Sequence, residues 1–187
     1  MDRAHRLVLE YERNEEGARR TVTSLPGNIT TPVITDPDTQ PALQFLGGLV
    51  RMRARAADTA GAYALLEHTG ERGYMSPLHL HESDEETFLV LDGTLRVEVG
   101  NDVRSVGAGA LALLPRGLAH GFVVTSPTAR FLTLHTPGGG FDAFVEEAGA
   151  PFSGAVPPEA GPMPDPEELT RMAAAHGIQI VGPPLMP

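Results

Sequence analysis

The segment Gly73–Gly93, GYMSPLHLHESDEETFLVLDG, decides how the rest of the chain is read. His79 and His81 are separated by one residue. Strand side chains alternate between faces with a period of 2, so a strand here sends both imidazoles the same way, where they can close on one metal ion. Glu86 follows and shares its parity with Phe88 and Val90, while Thr87, Leu89 and Leu91 take the other face. The pattern predicts a second strand, opened by Glu86, that returns beside the first. Downstream, Gly109–Val124 reads GALALLPRGLAHGFVV. Pro115 and Gly117 are what a sharp turn wants, one fixing φ and the other permitting positive φ, and they aim a strand headed by His120. That strand supplies a third imidazole. Imidazoles and a carboxylate together suit one divalent transition metal per chain, among Fe, Ni, Co, Mn, Cu and Zn, rather than Ca or Mg.

The spacing G-x5-H-x-H-x4-E-x6-G followed by G-x5-P-x-G-x2-H resembles the two signature motifs of the cupin superfamily. The matching positions are Gly73, His79, His81, Glu86 and Gly93, then Gly109, Pro115, Gly117 and His120. Val124 stands where the second motif often carries Asn, a residue that is not a metal ligand in that family. Glu85 competes with Glu86 by adjacency, but only Glu86 keeps the gap to Gly93 and the inward alternation. The resemblance implies His79, His81, Glu86 and His120 as metal ligands, with Glu86 also acting as the catalytic base. It implies an all-β cupin jelly-roll barrel, the double-stranded β-helix, with an N-terminal arm and short C-terminal helices.

Composition agrees with that fold class. The 187 residues suffice for one domain with extensions, and 17 Pro and 21 Gly favour many short strands joined by tight turns over a helical bundle. A net charge of -10 argues against nucleic acid or an anionic membrane as partner. The absence of cysteine removes disulfides and thiolate ligands. The charged N-terminus lacks the apolar core of a signal peptide and no segment approaches a membrane span, so a cytoplasmic protein is expected.

Along the chain, residues 1–42 read as an arm, charged and then rich in Thr and Pro, and in many cupins such an arm helps build a homodimer. Residues 43–136 read as the barrel. Leu95, Val97 and Val99 alternate against Arg96 and Glu98 as in a half-buried antiparallel strand, and Gly100-Asn101 makes a hairpin turn. Residues 137–187 read as an extension with two short helices packed on the barrel. In the first, Phe141, Phe144 and Val145 form one face. The second has Asp165 as cap, Pro166 first, Glu168 completing a capping box, Gly177 at the end and Leu169, Met172 and Ala173 as its stripe.

The remaining residues are assigned ordinary roles. His68 and His135 end strands and are expected at the surface or rim, and His5 and His176 in solvent or at a helix end. Glu82, Asp84 and Glu85 are expected in a solvated loop. Phe88, Val90, Leu111, Leu113, Phe122 and Val124 share the ligands' inward parity, and some of them, with Tyr63, Met75 or Phe131, would line an apolar pocket. Both the PGGG-FDAF segment and the tail resemble those of quercetin dioxygenase-like bacterial monocupins. That resemblance implies a dioxygenase cleaving a flavonol or related enolisable aromatic, with dioxygen as co-substrate and a small apolar or aromatic substrate. A polyketide cyclase or isomerase shares every residue named above, and a non-catalytic small-molecule-binding barrel is the alternative from another class.

Overall fold

The computed structural model describes residues 9–14, 17–22, 32–36, 40–154 and 164–186, the first two stretches by backbone alone. The chain divides into two compact units, Met1–Pro32 and Val33–Pro187. In the first, β1 (Leu9–Asn14) and β2 (Gly17–Val22) form an antiparallel pair. The rest of the arm expected over residues 1–42 lies in large part outside the described residues.

The second unit runs β3 (Ala42–Phe45), β4 (Gly48–Ala54), a 3-10 turn (Ala56–Thr59), β5 (Ala64–Glu71), β6 (Pro77–His81) and β7 (Glu85–Asp92). It continues with β8 (Thr94–Val99), β9 (Asp102–Gly107), β10 (Leu111–Leu114), β11 (His120–Val124) and β12 (Thr128–Thr136). The tail adds α1 (Phe141–Ala148), β13 (Ala150–Phe152), α2 (Pro166–Ala175) and β14 (Ile178–Pro184). Two sheets result, in the orders β10-β7-β12-β5-β4-β3-β13 and β14-β6-β11-β8-β9, and every pairing is antiparallel. This is the expected all-β jelly roll with two short helices. No helix among the described residues is long and apolar enough to cross a membrane.

The period-2 pattern explains the core. Phe88 and Val90 of β7 and Phe131 of β12 meet Leu95 and Val97 of β8 and Phe122 and Val124 of β11, so the inner faces of the two sheets share one cluster. Each such side chain contributes about 1.5–3 kcal/mol by leaving water. Hairpin turns hold the register. Gly93 between β7 and β8 has φ +79°, and an added Cβ would lie 2.2 Å from the Thr128 carbonyl oxygen, so only glycine fits. Gly100 does the same between β8 and β9, at φ +57°.

Leu111 and Leu113 depart from the expected inward facing, with exposures of 63% and 57%. The register gives the reason: on the edge strand β10 they stand opposite Leu89 and Thr87, which are on the outer face of β7. Leu114, opposite Glu86, is the buried one.

In the tail, α1 buries Phe141, Phe144 and Val145 and ends at Gly149. In α2, the Asp165 carboxylate accepts from the Glu167 and Glu168 backbone N–H groups, Pro166 follows it, and Leu169 and Ala173 are buried. The tail is more than two helices. Gly177, at φ +72°, turns the chain out of α2 into β14, which pairs with β6, the strand of His79 and His81. Its Ile178 joins Phe45, Val50, Leu66, Phe141 and Ala173 in a second cluster between the helices and the sheet edge.

Candidate metal centre

Strand β6 sends His79 and His81 inward, as its period requires, and His120 at the head of β11 pairs directly across from His79. These imidazoles belong to the five-stranded sheet. Glu86 comes from β7 of the facing sheet, so the cluster spans the space between the layers. All four side chains are buried, and one donor atom from each lies within 4.8 Å of the others. The ring centroids are 4.5 Å apart for His79 and His120, 5.1 Å for His79 and His81, and 5.4 Å for His81 and His120.

Backbone carbonyls set the tautomers. His79 Nδ1 lies 2.9 Å from the Pro77 carbonyl oxygen and His120 Nδ1 lies 2.8 Å from that of Leu118. A carbonyl only accepts, so Nδ1 carries the hydrogen in both rings and Nε2 presents its lone pair to the cluster. The His120 Nε2 thus faces Glu86 Oε2 at 3.1 Å, acceptor to acceptor, unless a proton or a cation lies between them. Both ring nitrogens of His81 are buried without a hydrogen-bond partner, although Nε2 is 3.5 Å from Glu86 Oε2. Convergent lone pairs, an orphaned imidazole and an ionised carboxylate fit a divalent transition metal.

The charges follow the same geometry. Burial, then the neighbouring His120, pushes His79 down to about 3, so it stays neutral. For Glu86 burial opposes ionisation, but the His135 charge first, and then the imidazoles of His120, His135 and His81 gathered around it, outweigh it and hold the carboxyl well below its ordinary value. Burial likewise opposes protonation of His135, and the Glu86 and Asp84 carboxylates outweigh it, raising that imidazole to about 9.

His135 and Asp84 are where the sequence reading needs correction. Both are buried, not at a rim or in a solvated loop. His135 stands opposite Glu86 in the β12–β7 register, with Nδ1 2.8 Å from Asp84 Oδ2 and Nε2 3.3 Å from Glu86 Oε1. It thus stands in ion-pair contact with Oε1, the carboxylate oxygen not turned to His120, without a hydrogen bond from Nε2. His81, Asp84 and His135 form a second buried group whose donor atoms lie within 4.8 Å of one another. Gly139 makes room for Asp84: a Cβ there would lie 2.3 Å from Oδ1. The signal was present, since Phe131, Thr133 and His135 share one parity on β12, but a single strand does not say which face is inner. His68 is also buried, on the inner face of β5. Glu82 is exposed, as expected of a solvated loop, whereas Glu85 is half-buried and is the first residue of β7.

A cavity of about 510 Å³, counted with its open mouth, adjoins the cluster, with His79 and Glu86 in its wall. Phe88 and Phe122 line it from the barrel, and Phe141, Phe144, Ala173 and Ile178 from the tail. Met75 is on the wall as expected; Tyr63 and Phe131 are not among the lining residues.

Fold and site together define an antiparallel jelly-roll protein with a buried His/Glu cluster at the floor of an apolar pocket. A family model, the Cupin domain, matches residues 66–135, which hold all four clustered residues, so this part of the chain is a cupin domain. It is 27% identical over 126 residues to quercetin 2,3-dioxygenase of Bacillus subtilis (strain 168). That match covers 67% of this chain and only 37% of the relative's length. Among solved structures, an RmlC-like cupin from Shewanella frigidimarina superimposes with a TM-score of 0.51 at 15% identity, over 57% of this chain and 92% of the other. A predicted oxalate decarboxylase from Thermotoga maritima gives 0.51 at 17% identity, over 56% and 99%. These likenesses concern the fold.

Proposed function

We propose that this chain is a metal-dependent dioxygenase of the quercetin 2,3-dioxygenase kind. In this reading His79, His81, Glu86 and His120 hold one divalent transition metal, and a flavonol or related enolisable aromatic is cleaved with dioxygen. The observation that carries it is the meeting of convergent imidazole and carboxylate donors with an apolar cavity that His79 and Glu86 line. The partial likeness to the Bacillus subtilis enzyme supports the reaction class.

A metal bound there supplies Lewis acidity, lowering the pKa of a substrate hydroxyl that faces it. The chain's own groups do the rest. Glu86 is ionised and accepts the proton that the hydroxyl gives up. His135 fixes the orientation of that carboxylate through Oε1, leaving Oε2 directed at His120 and His81. Phe88, Phe122 and Phe141 offer flat apolar surface to an aromatic ring and keep bulk water from it. A homodimer belongs to the same proposal, and sedimentation of the full chain checks it.

The test is oxygen consumption by purified protein loaded in turn with Fe, Ni, Co, Mn, Cu or Zn, using quercetin as substrate. One dioxygen consumed per flavonol is expected with at least one metal. No uptake with any of them ends the dioxygenase reading. Conversion of an enolisable aromatic without uptake points to a cyclase or isomerase, and a protein that takes up no metal points to a binding barrel.

A further inference from the structure

Three polar groups on the cavity wall have no place in the chemistry above. His68 Nδ1 lies 2.9 Å from the Tyr74 hydroxyl, and its Nε2 lies 3.2 Å from Thr133 Oγ1. All three residues are buried and all three line the cavity. The chain is held rigidly. His68 stacks on Phe131 with centroids 5.0 Å apart and planes 11° apart, and Tyr74 meets Phe122 edge to face at 5.3 Å. Tyr74 also lies in a slot that two glycines leave open: a Cβ at Gly70 or Gly48 would come within 2.2 or 2.3 Å of its ring.

Counting hydrogens shows what this chain lacks. The tyrosine hydroxyl, the neutral imidazole and the threonine hydroxyl carry three polar hydrogens between them and make two internal hydrogen bonds. One hydrogen is therefore always left over. With the imidazole hydrogen on Nε2 it projects from Thr133; with that hydrogen on Nδ1 it projects from Tyr74. Burial pushes His68 down to about 3, against the opposing pull of Glu86, so the neutral ring is the relevant one. Protonation would only add a second outward hydrogen. Among the described residues neither hydroxyl has another side-chain hydrogen-bond partner. A buried donor without an acceptor is costly, and the space beside it is the cavity.

We propose that the cavity's ligand is an aromatic compound carrying a second acceptor oxygen, such as a carbonyl, which takes the spare hydrogen of the Tyr74–His68–Thr133 chain. This rests on the cavity being the substrate site of the reading above, and not on the reaction carried out there. It narrows the substrate class to compounds with one oxygen for the His79 and Glu86 end and another for this chain. A wall that supplies a donor discriminates more sharply by what it leaves unpaired than by hydrophobic fit.

Acetophenone, an enolisable aromatic ketone, is the probe, with ethylbenzene as its analogue without oxygen. Binding is titrated under nitrogen with metal-loaded full chain, and the infrared carbonyl stretch of bound acetophenone is recorded. The expected band lies below its position in hexane. In the triple variant His68→Phe, Tyr74→Phe, Thr133→Val, which leaves the four clustered residues untouched, the band returns towards the hexane position. The ratio of acetophenone to ethylbenzene affinity also falls by roughly fivefold to tenfold. An unshifted band in the wild type overturns the proposal. So does a shifted band that survives in the triple variant, because the Ser76 hydroxyl, the metal or a water would then be its source. Should the triple variant not fold, Tyr74→Phe and Thr133→Val are read singly: the spare hydrogen projects from one of these two hydroxyls, so at least one variant must move the band, and movement in neither is an equal refutation. Absent oxygen uptake leaves this result intact, since no turnover is required.

Discussion

His79 and His120 each spend Nδ1 on a backbone carbonyl and keep Nε2 for the cluster. Replacing either with Ala removes one of four donors and leaves the others in a cavity that water can enter. Elemental analysis of His79→Ala and His120→Ala is expected to show metal well below one per chain while the far-ultraviolet circular dichroism remains that of the wild type. Glu86→Gln keeps an oxygen donor but loses the proton acceptor, so kcat should fall by about 10²–10⁴ with the larger part of the metal retained. His68 gives a pH signature. Its imidazole has an ordinary value of 6.5 and is pushed down to about 3 in the fold. The contribution to stability is complete above pH 6.5 and is lost progressively as pH falls towards 3, because the unfolded chain binds a proton that the folded ring refuses. The slope is about 1.4 kcal/mol per pH unit. Urea unfolding of His68→Gln across that range should show a shallower loss than the wild type, and an unchanged slope would contradict a buried neutral His68.

At the level of elements, the strands of the site are fixed by what glycine leaves empty. Tyr74 lies flat over β5 only because residue 70 has no side chain, and the Cβ of Gly70→Ala would sit 2.2 Å from its ring. Overpacking of that kind costs about 1–3 kcal/mol, measurable as a lowered denaturation midpoint. Gly107→Ala on β9 is the control, since its nearest neighbour would be 3.9 Å away, and it should stay within about 0.5 kcal/mol of the wild type. Of these elements, α1 and α2 were legible from their spacing and caps, as was the turn between β8 and β9. Strand β14 was not. IQIV between Gly177 and Gly182 is too short for its alternation to identify it, and its pairing with β6 joins residues about a hundred positions apart in the chain.

For the whole molecule, the cluster joins two sheets, so a bound metal is also a cross-link between layers that binds the native state alone. At a free metal concentration about a hundred times its dissociation constant this adds about 2.7 kcal/mol. Calorimetry before and after dialysis against a chelator should therefore show the melting temperature fall by roughly 5–10 °C on metal removal. The cavity is a property of the same scale: β6, β7 and β11 supply its floor, while α1, α2 and β14 supply much of its wall.

Period-2 alternation and fixed motif spacing are local, so the jelly-roll class and the set His79, His81, Glu86 and His120 could be read directly from the order of residues. Facing is not local. Whether His135, Asp84 and His68 look inward depends on which strand lies across from each and on which side the other sheet packs. A register shift of one residue reverses that choice without changing a letter of the sequence. Only the tertiary structure decided that His135 faces Glu86, that Leu111 and Leu113 face outward, and that the tail lines the pocket.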